Sequence, residues 1–239
     1  MPGSARVEVI MKNHLNLRAI LMAAAVAFVQ NTFAETAELS TPPATEADKE
    51  AVYTTSIENR TADILKTLDV SDTAKSNEVH DAIIAQYRAL RARDAAIDAK
   101  LKTEGKDISY ETRASQLAEE SKPLHEQFIA KLAADLTPEQ VEKVKDGMTY
   151  KKVKVTYDAY CAIVPDLTDA DKAKILEELK LAREEAIDGG SATEKSAIFQ
   201  KYKNQINDYL NAHGHDTAKA FKDWQAKQEA AKKTADAAK

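Results

Sequence analysis

Apolar residues recur along this chain at the three- and four-residue spacing of a single helix face. Val79, Ile83, Tyr87, Leu90, Ile97 and Leu101 form the longest such stripe. It predicts a helix opening at Ser71 and running to about Lys102, where Glu104-Gly105-Lys106 ends it. An earlier helix starts at Thr45 with Asp48 in its first turn and carries Val52, Ile57, Ile64, Leu65 and Leu68. A third covers about Ser109 to Ala134 with Leu117, Leu124, Phe128 and Leu132 inward, and Pro123 is expected to kink or split it. Thr137-Pro138-Glu139-Gln140 starts a short fourth: Thr137 caps, Pro138 takes the first helical position, and Gln140 closes a capping box.

Beyond Gly147 the pattern changes. Tyr150 to Tyr157 alternates aromatic or β-branched residues with lysine, a period of two. With no partner strand in view, it reads as an extended connector entering a helix over about Thr156–Val164, closed by Pro165. Thr168 caps the next helix, which runs to about Ile187. Asp188-Gly189-Gly190 is a turn, and Ser191 with Glu194 makes another capping box for a helix ending at Ala212. His213-Gly214-His215 breaks that helix. From 216 to 239 the chain is rich in Ala, Lys and Asp, with Phe221 and Trp224 its only large apolar groups; it reads as a charged tail that buries itself poorly. The expected fold is therefore an all-α bundle of about six or seven helices over residues 45–215, with no substantial sheet.

A different pattern stands ahead of the bundle. Lys12 and Arg18 precede the apolar run Ala19–Val29, and Thr32-Phe33-Ala34 places small residues around a bulky one. That order predicts a secretory signal over residues 1–34, with its start at Met11 and cleavage after Ala34. The run is too short for a membrane span. Residues 35–44, with Pro42 and Pro43, read as a flexible lead. The expected location is periplasmic or secreted.

Composition narrows the partners. The chain has 239 residues and a formal net charge of −5, and losing Arg6, Lys12, Arg18 and Glu8 with the signal makes the remainder more acidic. That argues against nucleic acid and against an anionic membrane surface. Cys161 is the single cysteine, so no internal disulfide forms. Beside Tyr160, Ala162, Ile163 and Val164 it reads as a small buried apolar residue.

Three charges break the apolar faces: Arg183 between Leu179 and Ile187, Lys195 on the line of Ile198, Tyr202, Ile206 and Tyr209, and Asp94 within the long stripe. A buried charge is costly unless paired. Two arrangements satisfy this. In one, Arg183, Lys195, Tyr157 and Tyr160 line a cleft for an acidic ligand such as an acidic glycan, with Arg183 gripping a carboxylate and tyrosine stacking on a sugar. In the other, Arg183 pairs with an acid such as Asp94, while Lys195 reaches out from a helix end. No nucleophile elbow, zinc-protease helix or Gly-rich phosphate loop is present. Adjacent acids such as Glu119-Glu120 and Glu184-Glu185 diverge on a helix. His213 and His215 lack further ligands at metal spacing, so no metal and no cofactor is implied.

Two resemblances add to this. Leu136, Thr137 and Gln140 resemble the Leu-Thr-x-x-Gln motif of the small periplasmic stress chaperones and sensors related to Spy and CpxP, which implies a helical, exported protein that handles a protein client. Tyr157-Asp158-Ala159-Tyr160-Cys161, Ile163 to Thr168, Ala182 to Ala186 and Ile198 to Leu210 resemble an uncharacterised family of secreted bacterial helical proteins. Members of that family are encoded near polysaccharide-degrading enzymes, which implies a binding or accessory role in polysaccharide use. A chaperone or stress sensor, and an uncharacterised carbohydrate-active enzyme, are the alternatives.

Overall fold

The computed structural model describes residues 45–237, and among these every regular element is a helix. In chain order they are α1 (Glu46–Leu65), α2 (Thr73–Thr103), α3 (Tyr110–Asp135), α4 (Pro138–Met148), α5 (Lys152–Ile163), α6 (Asp169–Ala186), α7 (Ala192–Ala212) and α8 (Thr217–Ala237). The predicted signal, its cleavage point, the start at Met11 and the lead 35–44 lie outside the described residues.

Local chemistry sets the helix starts. Thr45 with Asp48, Thr137 with Gln140 and Thr168 with Asp171 each form a reciprocal capping box. Leu136 and Leu167, just ahead of the latter two caps, are buried. Ser191 accepts from the Glu194 N–H, but the Glu194 carboxylate turns to the Gly190 N–H instead of closing a box. Gln140 does more than cap: its Nε2 donates to the Leu68 carbonyl at 2.6 Å and fastens the α1–α2 turn to α4.

Two expectations fail at the middle of the chain. Eight helices are present among the described residues rather than six or seven, and no extended connector precedes α5. Tyr150 and Lys151 instead take left-handed backbone conformations, with φ of 59° and 54°, and α5 starts at once at Lys152. Val153, Tyr157, Tyr160 and Val164 follow helical spacing and all pack on one core, while Val155 points to solvent. The alternation of Val153 with Val155 was coincidence; the longer period carried the burial. Cys161, one step off that face, is exposed rather than buried.

Pro123 does not split α3. It sits on an exposed part of the helix, where the carbonyl it leaves unpaired meets water. Residues 217–237 form α8, whose Phe221 is buried while most of the side chains after Trp224 are exposed.

The helices close two main cores. Ile57, Ile64, Val79, Ile83, Phe128, Leu132, Val144 and Met148 join α1 to α4. Ile175, Leu179, Ile198, Phe199, Ile206 and Leu210 anchor the second, shared by α5, α6 and α7 with α8 alongside. Ile97, Leu101 and Leu117 form a small third cluster on the α2–α3 pair. Ile187, just after α6, reaches into the first core. A seam between the first four helices and the last four is crossed by ion pairs, Arg183 with Glu142 and Asp146, Arg113 with Glu194, and His125 with Asp188.

Candidate functional site

Arg183 lies on that seam with its side chain only 5% exposed. Its Nη1 donates to Asp146 Oδ1 at 2.7 Å, and its Nη2 donates to Glu142 and, at 3.1 Å, to Glu184 Oε1. Lys145 joins the same group, 2.8 Å from Glu184 Oε2 and 3.2 Å from Glu142 Oε1. Burial works against the charge on Arg183, but the bonds to Asp146 and Glu142 outweigh it and raise the guanidinium pKa above its ordinary value. The cluster ties α4 to α6.

Lys195 is 2% exposed, and its Nζ donates to the Ala186 and Ile187 carbonyls at 2.9 and 3.1 Å. It therefore caps the C-terminal end of α6, where the carbonyls lack helical donors. Burial pushes its amine down to about 7, with Asp188 and Glu194 opposing. Asp94 turns to Arg93, which donates to Asp94 Oδ1 from Nε at 3.0 Å and Nη2 at 2.6 Å, and to Arg113. Gly190 rests directly on that carboxylate: a Cβ there would sit 1.8 Å from Asp94 Oδ2.

Tyr160 donates to the Lys203 carbonyl at 3.2 Å and to Asn207 Oδ1 at 2.9 Å. Burial raises its phenol pKa above the ordinary value. Tyr157 packs half-buried on the same core and borders Cys161. Twelve residues separate Lys195 from Asn207 along α7, about 18 Å at 1.5 Å per residue. Tyr157 and Tyr160 thus sit toward the far end of α7 from Lys195, and Arg183 points away toward α4. The four predicted residues do not converge on one cleft. Arg183 pairs with acids, as the second arrangement required, but with Glu142, Asp146 and Glu184 rather than Asp94. Lys195 stays inside instead of reaching out.

A cleft of about 410 Å³ opens elsewhere on the seam, between α2 and α3 on one side and the α6–α7 turn on the other. Small-molecule sites span roughly 300–1,000 Å³. Leu117, Ala114 and Ile198 supply its apolar lining; His125, Asp188, Glu184 and Glu194 supply the polar one. His125 Nδ1 lies 3.0 Å from Asp188 Oδ2. That bond raises the imidazole pKa against the effect of burial. A carboxylate at Nδ1 favours a proton there and leaves Nε2 as the acceptor of the neutral ring. Asp188 Oδ1 is buried and has no hydrogen-bond partner within the protein.

Sequence reasoning missed this pair because His125 and Asp188 are 63 positions apart, and neither breaks an apolar stripe. The glycine pair after Asp188 was the available signal: it allows the turn to lie flat against Asp94 and leaves Asp188 facing α3. Among the described residues no group of three or more histidine, cysteine, aspartate or glutamate side chains is arranged to hold a metal, and no helix is long and apolar enough to cross a membrane.

No curated protein matches the chain. One family model does, described as a protein of unknown function (DUF3826), and it spans residues 54–230, from α1 into α8. The match takes in both cores and the whole seam between them, and the chain belongs to this family of unknown function.

Proposed function

We propose that this protein is exported and works outside the cytoplasm as a helical binding or accessory protein in polysaccharide use, with its ligand seated in the α2–α3/α6–α7 cleft. The leader Lys12 to Ala34 supports export. The observation that carries the binding reading is the cleft itself, a concave space that combines an apolar lining with the hydrogen-bonded His125–Asp188 pair.

We seat the ligand away from Arg183, Lys195, Tyr157 and Tyr160. Arg183 through both Nη atoms, Lys195 through Nζ and Tyr160 through its hydroxyl are engaged in bonds between helices. The chaperone alternative rests on the Leu-Thr-x-x-Gln resemblance; among the described residues the exposed large apolar side chains, Val52, Ile108, Tyr150, Val155 and Leu181, lie on separate elements of the chain. The Leu-Thr-x-x-Gln residues here serve as a cap and a tie to Leu68. Screening the chain against a glycan array, followed by melting shifts, tests the reading. A specific glycan should raise the melting temperature; no shift with any glycan class would refute it.

A further inference from the structure

Among the described residues three lysines, Lys152, Lys195 and Lys203, have amines that burial pushes below the ordinary lysine range. Lys195 spends its ammonium on the Ala186 and Ile187 carbonyls. The other two spend theirs on nothing: neither makes an ion pair or a side-chain hydrogen bond with any described residue. Both are half-buried, and neither Nζ is shut away from water.

The two lie close together. Lys152 opens α5, and its Nζ is 6.0 Å from the centre of the Phe199 ring on α7. Lys203 is one helical turn beyond Phe199 on the same face of α7, and helical side chains lean back over the preceding turn. Further along α5, the Tyr160 hydroxyl donates to the Lys203 carbonyl, so the two helices run side by side here. Lys152 adds to burial in holding the Lys203 amine down, to about 8, and no carboxylate acts on either amine.

Two like charges, partly stripped of water and without a counter-charge, are costly to hold together. The more deeply buried cations Arg93, Arg113, Lys145 and Arg183 are each matched to a carboxylate, in a chain whose acids outnumber its bases. A pair left unmatched in that setting points to a partner from outside the chain. The start of α5 adds to the pull, since it has no side-chain cap and its positive end lies beside Lys152.

We propose that Lys152 and Lys203 form a second binding site, between α5 and α7, that receives an oxyanion. Neither residue lines the His125 cleft, and the site stands whether or not that cleft holds a ligand. An anion with two or more oxygens accepts from both ammonium groups at once and relieves their repulsion. A free sulfate or phosphate and the acidic group of a glycan offer the same chemistry.

Isothermal titration of the full chain at pH 8 and low salt, with sodium sulfate and with a galacturonate trimer, tests it. At least one probe should bind with a Kd no weaker than about 10 mM, the scale of two part-screened charge-assisted bonds. Binding should take up protons, because an anion favours the charged amines, so the measured heat should differ between Tris and HEPES. Lys152→Met with Lys203→Met should weaken binding at least about tenfold and abolish the proton uptake, whereas Lys203→Arg should keep the binding. With no anion present, Lys203→Met should raise the melting temperature, since it removes one part-buried charge from beside another. A trimer that binds more tightly than sulfate assigns the anion to a glycan; tighter sulfate assigns it to an inorganic ion. No saturable binding of either probe, or binding that the double variant retains, would overturn the site. A lower melting temperature in Lys203→Met would overturn the argument from uncompensated charge.

Discussion

Replacing Arg183 by Met probes the seam most directly. Met keeps the apolar stem packed between α4 and α6 and removes the guanidinium. Three bonds are lost, to Asp146, Glu142 and Glu184. Charge-assisted bonds contribute roughly 1.5–3 kcal/mol each when well buried. Here the acids are 41%, 46% and 37% exposed, so solvent screening brings each contribution toward the ~0.2–1 kcal/mol of surface pairs. Arg183 Nε is buried without a partner, and deleting it recovers part of the loss. Against that, Glu142, Asp146 and Glu184 are left facing one another with Lys145 alone between them. The expected cost is about 2 kcal/mol, or about 4–8 °C in melting temperature for a domain of this size.

The pH dependence gives a second readout. Burial works to raise the Glu142 carboxyl, but Arg183 and Lys145 together hold it below its ordinary value. A depressed carboxyl contributes stability above its unfolded pKa of about 4.3 and loses it as pH falls through the lower folded value. The gap between the parent and Arg183→Met, measured by urea unfolding, should therefore be full at pH 6–7 and shrink below about pH 4.5. A gap under about 0.5 kcal/mol at neutral pH, or one that does not change on acidification, would refute the ion-cluster account.

Four further outcomes follow from the same contacts. Gly190→Ala should cost about 1–3 kcal/mol by chemical denaturation, because its Cβ would displace the Asp94 carboxylate from Arg93 and Arg113; Gly105→Ala, where nothing lies within 4 Å but φ is +69°, should cost only about 1 kcal/mol from backbone strain. Lys195 carries an amine pushed down to about 7, so the unfolded chain binds more protons above that pH; its contribution should rise from pH 7 to 9, and Lys195→Met should flatten that rise in unfolding curves. The raised imidazole of His125 stabilises the fold below its unfolded pKa of about 6.5 and loses that contribution as pH climbs through the higher folded value; His125→Gln should abolish this trend, with an effect below about 1 kcal/mol. Cys161 should react with a thiol reagent in the native protein at a rate close to that in denaturant; strong protection would contradict its exposure.

The helices and most of their ends were legible in the chain because they depend on neighbours three and four residues away. Thr137, Pro138 and Gln140 set the start of α4 by local hydrogen bonds, and Thr168 does the same for α6. The polar residues stranded in apolar faces were legible too, since amphipathic packing leaves Arg183 and Lys195 no route to water. Their partners were not. Glu142 and Asp146 are 41 and 37 positions from Arg183 and look like ordinary solvated charges on a helix. Only the crossing of α4 over α6 turned them into the counter-charge of a buried guanidinium. Tyr150 and Lys151 misled for the opposite reason: two left-handed residues start a helix where alternation suggested an extended segment, and the burial of Val153 and Tyr157 on the second core fixed the true period. The cleft belongs wholly to the tertiary structure, because His125 and Asp188 meet only when the first four helices close on the last four. Pairwise contact across a seam carries no periodic mark in either helix.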